Sequence, residues 1–149
     1  MTVIAYRDGI LAADKQGSRG DTIYTATKIF QREYGAIAIC GDADSALSMV
    51  RWIDGGEIAG GFPLSQDTDR WAQLIVVRNG ELFVYGRTPY PERLGDDDFI
   101  AFGVGREAAL GAMEMGAGAE EAVMVASKWV TGCGRGVDVV DCRRQKAGD

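Results

Sequence analysis

The chain has 149 residues, 46% of them apolar, with 21 glycines, a formal net charge of −6 and no histidine. That length suits one domain over residues 1–149, the acidic balance argues against nucleic acid as a partner, and the missing imidazole excludes Ser-His-Asp and Cys-His nucleophile chemistry. The three cysteines, Cys40, Cys133 and Cys142, form no CxxC pair, so no metal or other cofactor is expected and a reducing cytoplasm is the simplest setting.

The first element is a hairpin. Two apolar runs, residues 2–6 and 10–13, flank Asp8-Gly9, a dipeptide that reaches positive φ easily and so fits a two-residue turn. Thr2 stands at its first end and Asp14 at its last. A threonine behind an initiator methionine gains a free α-amine when Met1 is removed, and that amine can act as base to its own hydroxyl.

Residues 15–21 read as a polar loop, and residues 25–31 with 35–40 as a second hairpin. Lys28 falls inside its first strand, where a lysine ordinarily marks a solvated edge. The run 36–40 is apolar at every position, the pattern of a strand covered on both faces. It ends at Gly41-Asp42, after which Asp42 or Asp44 can cap a helix running to about Asp54 on Ala46, Leu47, Val50 and Ile53.

Residues 55–69 lack a period and read as a surface loop. Asn79-Gly80 joins strands at 71–78 and 81–86. Residues 87–98 form a loop in which Asp96, Asp97 and Asp98 read as solvated carboxylates rather than a metal cluster. A strand at 99–102 leads through Gly103-Val104-Gly105 into a helix at 106–115, and a second helix at 119–130 carries Ala122, Val123, Ala126 and Val130 as its buried stripe. The sequence closes with a glycine-rich turn at 131–136, a strand at 137–141 and a polar tail. No apolar run approaches the roughly eighteen residues a membrane span needs. No βαβ alternation runs through this order, so it points to an α+β fold: two antiparallel sheets face to face with helices outside, a four-layer αββα sandwich.

The Thr-initiated strand, DGILAAD at Asp8 to Asp14, ATKIF at Ala26 to Phe30, AIAICGDADSAL at Ala36 to Leu47, FIAFGVG at Phe99 to Gly105 and GCGRGVDVV at Gly132 to Val140 together resemble the proteasome β-subunit and HslV peptidase group of N-terminal nucleophile hydrolases. The small size is most similar to the compact, often phage-encoded relatives. The resemblance implies a threonine peptidase in which Thr2 is nucleophile and base after loss of Met1. Asp14 pairs with Lys28 in that scheme, and the lysine's positive charge lowers the proton affinity of the threonine site. It also gives Gly41 the role of oxyanion donor through its N–H, a contribution worth about 3 kcal/mol in other hydrolases.

Three positions depart from the family pattern, where a serine, an aspartate and a second serine are replaced by Val104, Val130 and Cys133. Two main readings therefore stand side by side. One is a hydrolase of amide or peptide bonds; the other is a catalytically impaired member of the fold that acts as an oligomeric binding or scaffold protein. A small-ligand binding module unrelated to the peptidases is the third. The family resemblance implies a homo-oligomer, possibly a ring, with Trp52, Trp129 and residues 55–69 as candidate contacts.

Overall fold

The computed structural model describes residues 1–63, 70–95 and 97–143. In chain order the first half runs β1 (Val3–Arg7), β2 (Ile10–Asp14), β3 (Gln16–Arg19), β4 (Thr22–Thr25), β5 (Ile29–Arg32), β6 (Gly35–Gly41), α1 (Ala43–Asp54) and a short 3-10 turn at Ala59–Gly61. The second half runs β7 (Ala72–Arg78), β8 (Glu81–Tyr85), β9 (Glu92–Leu94), β10 (Phe99–Gly103), α2 (Arg106–Glu114), α3 (Ala119–Trp129) and β11 (Val137–Asp141).

All the strand pairings are antiparallel. One sheet has the order β10-β1-β2-β11, a second the order β5-β6-β7-β8-β9, and β3 pairs only with β4. Side chains alternate across a strand, and that alternation sorts the apolar residues into three layers. Ile4, Leu11 and Ala13 of the first sheet meet Ile29, Ala38, Ile75 and Val77 of the second. Val3, Ala5 and Ala12 face the other way, against Ala109, Met113, Val123 and Ala126 of α2 and α3. On the far side of the second sheet, Ile37, Leu74 and Val76 pack under Met49, Val50 and Ile53 of α1. The result is the αββα sandwich expected from the sequence. Strands such as β6 are apolar at consecutive positions because both of their faces are covered.

Both short hairpins have the predicted turns: Asp8 and Gly9 have φ of 53° and 79°, and Asn79 and Gly80 have 51° and 83°. Positive φ at both central residues is what a twist-matched two-residue turn requires. Helix α1 is capped by Asp42, whose carboxylate accepts from Ser45 N at 3.0 Å and Ser45 Oγ at 2.9 Å.

Several expectations are corrected. Residues 15–21 are not simply a loop, because Gln16–Arg19 and Thr22–Thr25 form the β3–β4 hairpin. Its side chains have no apolar face to alternate; the backbone ladder holds it, and the ring of Tyr24 lies so close over Gly17 that a Cβ there would stand 2.6 Å from it. Residues 25–31 are likewise not one strand: Thr25 ends β4, β5 begins at Ile29, and Ala26, Thr27 and Lys28 carry the chain from one sheet to the other. The loop at 87–98 contains the edge strand β9, with Leu94 opposite Leu82, while Asp96 lies outside the described residues.

In α1 the buried stripe is Ala46, Met49, Val50, Trp52 and Ile53, and Leu47 is exposed. Trp52 is therefore no outward contact. It packs edge-on to Phe62 and Tyr85 with centroids 4.9 and 5.7 Å away, whereas Trp129 is exposed. Helix α3 ends at Trp129, so Val130 is its extended C-cap, half-buried against the α2–α3 layer. Of the loop at 55–69, residues 64–69 lie outside the described residues.

Candidate functional site

The only polar or charged residues in the buried set, among the described residues, are Thr2, Asp14 and Lys28, and they occur together. Antiparallel pairing of β1 with β2 matches Ile4 to Ala13, which leaves Thr2-Val3 and Asp14 adjacent at the same end of the hairpin. Lys28 arrives from the second sheet. Its carbonyl accepts from Ile39 N at 2.9 Å, extending the β5–β6 ladder by one step, and this fixes the backbone from which its side chain crosses to the first sheet.

Lys28 Nζ donates to Asp14 Oδ1 at 2.9 Å and to the carbonyl oxygen of Met1 at 3.0 Å. Asp14 is fully enclosed and accepts four hydrogen bonds. Oδ1 takes Val3 N at 3.1 Å and Lys28 Nζ; Oδ2 takes Gln16 N at 3.2 Å and Gly134 N at 3.1 Å. A buried carboxylate needs this full complement, since an unpaired buried charge is expensive. Asp14 thereby ties together the strand that carries Thr2, the start of β3, the closing turn and the lysine.

Thr2 is held from its other side by glycines. Gly105 N donates to Thr2 O at 3.2 Å, and a Cβ on Gly103, which has φ of +91°, would fall 2.1 Å from that oxygen. The 103–105 turn can approach the threonine this closely only because glycine stands at Gly103. Gly132, φ +95°, carries the side chain of Met1. Sequence reasoning did not give Gly134 or Gly132 a role. The closing Gly-Cys-Gly-Arg-Gly run was the available signal, since clustered glycines mark close backbone approach.

Gly41 has φ of +102° and sits against the backbone of Trp71. It lines, with Met1, Thr2, Lys28, Tyr24 and Leu47, a cleft of about 790 Å³. The four candidate residues Thr2, Asp14, Lys28 and Gly41 thus converge on one end of the sandwich. Val104 is exposed, Val130 half-buried and Cys133 buried, and the two valines offer no hydrogen-bonding side chain near the threonine.

The surroundings of the thiols near the site disfavour their thiolate forms. Burial, and then the Asp14 carboxylate, push Cys133 up to about 11. Burial also raises Cys40, against the opposing influence of the N-terminus and Lys28. Both remain thiols near neutrality, and the thiolate is the reactive form. Asp42, which also lines the cleft, is held below the usual carboxylate range by the hydrogen bonds from Ser45. No group of three or more Cys, Asp or Glu able to hold a metal ion occurs among the described residues, and no described helix is long and apolar enough to cross a membrane.

No family model matches the chain, and no curated protein matches it. Solved structures do. Eukaryotic HslV from Trypanosoma brucei superposes with a TM-score of 0.68 at 18% identity, covering 93% of this chain and 96% of that one. Thiobacillus denitrificans BPH in complex with epoxomicin gives a TM-score of 0.63 at 19% identity over 93% of this chain and 95% of that chain. A second structure of T. denitrificans BPH gives 0.62 at 19% with the same coverage. At these identities the likeness is one of architecture, and it extends over nearly the whole chain: this protein has the HslV-like αββα fold.

Proposed function

We propose that the chain is a proteasome- or HslV-like threonine hydrolase of amide or peptide bonds, with Thr2 as nucleophile after removal of Met1. One observation carries the reading: a fully buried aspartate holds a buried lysine whose Nζ lies on the carbonyl immediately preceding Thr2. A lysine placed there for stability alone is poorly explained, because a buried ion pair contributes little over a packed apolar pair. A lysine that sets the electrostatics of the threonine is a direct use of the arrangement.

In the proposed reaction Thr2 Oγ forms a bond to the substrate carbonyl carbon while its proton passes to the Thr2 α-amine. The Gly41 N–H faces the oxyanion that develops. The carbon–nitrogen bond then breaks, the leaving nitrogen takes the proton from the α-ammonium, and water hydrolyses the remaining ester to release the acid and restore Thr2. Lys28 leaves Met1 O in the processed chain and lies free to face the threonine hydroxyl. Epoxomicin in the T. denitrificans BPH structure supports its choice as a first probe, and the family resemblance supports a homo-oligomer, possibly a ring.

The test is intact-mass analysis of purified protein, then reaction with epoxomicin or a β-lactone. Loss of Met1 and a covalent adduct on Thr2 are expected; Thr2→Ala should abolish the adduct and Lys28→Ala should reduce it. Full retention of Met1 with no labelling removes the mechanism. Light scattering should give a particle larger than the 16.0 kDa chain.

A second reading, an oligomeric binding or scaffold protein without catalysis, holds if Met1 is retained, since its peptide bond then consumes the amine that would serve as base. The same mass measurement separates the two.

A further inference from the structure

Met1 is 64% exposed, but the bond that joins it to Thr2 is not open to the same degree, since Thr2 is 5% exposed and Val3 is fully buried. The Met1 carbonyl oxygen accepts from Lys28 Nζ at 3.0 Å, the Thr2 carbonyl oxygen accepts from Gly105 N at 3.2 Å, and Val3 N donates to Asp14 Oδ1 at 3.1 Å. Val3 stands opposite Gly103, and β1 lies inside its sheet between β10 and β2. Consecutive residues are thus pinned through their backbones to three different parts of the molecule.

A peptidase that frees Thr2 must bring water to the Met1 carbonyl carbon, polarise its oxygen and let the Thr2 nitrogen depart with a proton. In the folded chain that oxygen is held by a lysine that is 6% exposed, and the nitrogen belongs to a buried residue. Exposing the bond means peeling residues 1–3 from the sheet, which breaks all three hydrogen bonds and draws Val3 out of its layer against α2 and α3. An external enzyme then cuts only the opened form, at a rate set by its population.

We infer that the folded protein shields its own Met1–Thr2 bond, so that whether a chain carries a free Thr2 amine is decided before β1 enters the sheet. The partner is an aminopeptidase that takes an N-terminal methionine on an extended chain, and it acts ahead of folding. The same contact that engages Lys28 with Met1 O keeps the unprocessed form from being converted afterwards. The shielding stands on the geometry alone; its meaning as a control on activity rests on the hydrolase reading above.

The experiment uses the full chain made with methionine aminopeptidase inhibited, its Met1 verified by mass and its folding by circular dichroism. Purified methionine aminopeptidase is added to this protein and, separately, to a synthetic peptide of residues 1–7, and loss of Met1 is followed by mass. Removal from the folded protein should be slower by about a hundredfold, which is what three hydrogen bonds of ordinary net strength amount to together. A ratio below about tenfold, the lower limit for three such bonds, overturns the inference. Loss of Met1 from the folded protein with no peptidase added overturns it as well.

Amide exchange gives a second measurement that needs no peptidase. The Val3 N–H of the folded, unprocessed chain should exchange at least about a hundredfold more slowly than in the peptide, and exchange at the peptide's rate overturns the inference. Protein processed during synthesis that resists epoxomicin refutes the hydrolase reading and leaves the shielding in place. Processed protein that labels, beside rapid removal of Met1 from the folded chain, refutes the shielding and keeps the hydrolase.

Discussion

Asp14→Asn keeps the size and shape of the side chain and removes only its charge and half of its acceptor capacity. The structure makes that change severe. Oδ1 accepts from Val3 N and Lys28 Nζ, and Oδ2 from Gln16 N and Gly134 N, so each oxygen faces two donors. Whichever way an asparagine amide turns, its NH₂ meets two N–H groups and at least two hydrogen bonds are lost. Lys28, 6% exposed, is left without its counter-charge. Breaking a buried pair in this way costs about 3–5 kcal/mol, against a total of about 5–15 kcal/mol for a domain of ordinary stability. At about 2–4 °C per kcal/mol for a chain of this size, melting should fall by about 6–20 °C. Urea unfolding at pH 7 measures the free energy directly. Asp14→Asn combined with Lys28→Met should be less destabilised than the sum of the two single variants, because the second change removes the stranded cation. A single variant within about 0.5 kcal/mol of wild type, the range of ordinary surface changes, would refute the claim that this pair is buried and essential to the local geometry.

Asp42→Ala should cost about 1 kcal/mol at pH 7, the usual value of a helix N-cap. Because Ser45 lowers the Asp42 pKa in the folded state from 3.8, the cap is fully present above that value and lost as pH falls through the lower folded one, so the difference in denaturant midpoint between wild type and variant should close under strong acid. Glu57→Ala leaves the hydroxyl of Tyr85, which donates to Glu57 Oε2 at 2.6 Å, and the guanidinium of Arg78 without their shared acceptor. A loss of about 1–3 kcal/mol in urea unfolding is expected. In wild type, ultraviolet titration should find Tyr85 among the late-ionising tyrosines, since burial, and then Glu57, push it up to about 12, while burial also raises Tyr6 and Tyr34. The thiols of Cys133 and Cys142, each raised by burial to about 11, should react slowly with a disulfide reagent at pH 8 and rapidly in urea; fast reaction of either in the native protein contradicts its burial.

The sandwich was legible because its strands state their surroundings. Residues 36–40 are apolar at every position, and in the fold Ile37 and Ile39 face α1 while Ala36 and Ala38 face the other sheet. The Asp8-Gly9 and Asn79-Gly80 turns were legible for a separate reason, as few dipeptides accept positive φ at both positions. The β3–β4 hairpin was not. Gln16, Ser18, Arg19 and Thr22 present no apolar alternation, and what holds the hairpin is a backbone ladder and the fit of Tyr24 over Gly17. Strand β9 was missed for a similar reason: three residues at a sheet edge, Glu92–Leu94, are too few to show a period.

The site divides along the same line. Composition and periodicity read Lys28 as a solvated edge residue, and only the resemblance gave it a buried role; the structure places it outside any strand, in the step from β4 to β5, with its side chain enclosed. No local pattern announces such a residue, because its burial depends on Asp14, fourteen positions earlier, and on the end of β1 brought beside it by two different ladders. The glycines follow the same logic at the backbone. Gly103 admits the Thr2 carbonyl, Gly134 supplies an N–H to Asp14, and Gly132 leaves room for the residue ahead of the threonine. Each is defined by what it lets approach, which a sequence records only as the absence of a side chain. This also bears on Val104, Val130 and Cys133, where the resemblance implies a serine, an aspartate and a serine. The 103–105 turn and Gly134 still close on Thr2 and Asp14, so under the proposed hydrolase reading the electrostatics acting on the threonine come from Lys28 and from main-chain N–H groups. If those suffice, Lys28→Ala should lower labelling at Thr2 far more than any change at Cys133. Equal loss from Cys133→Ala would mean that the thiol had taken over part of the missing support.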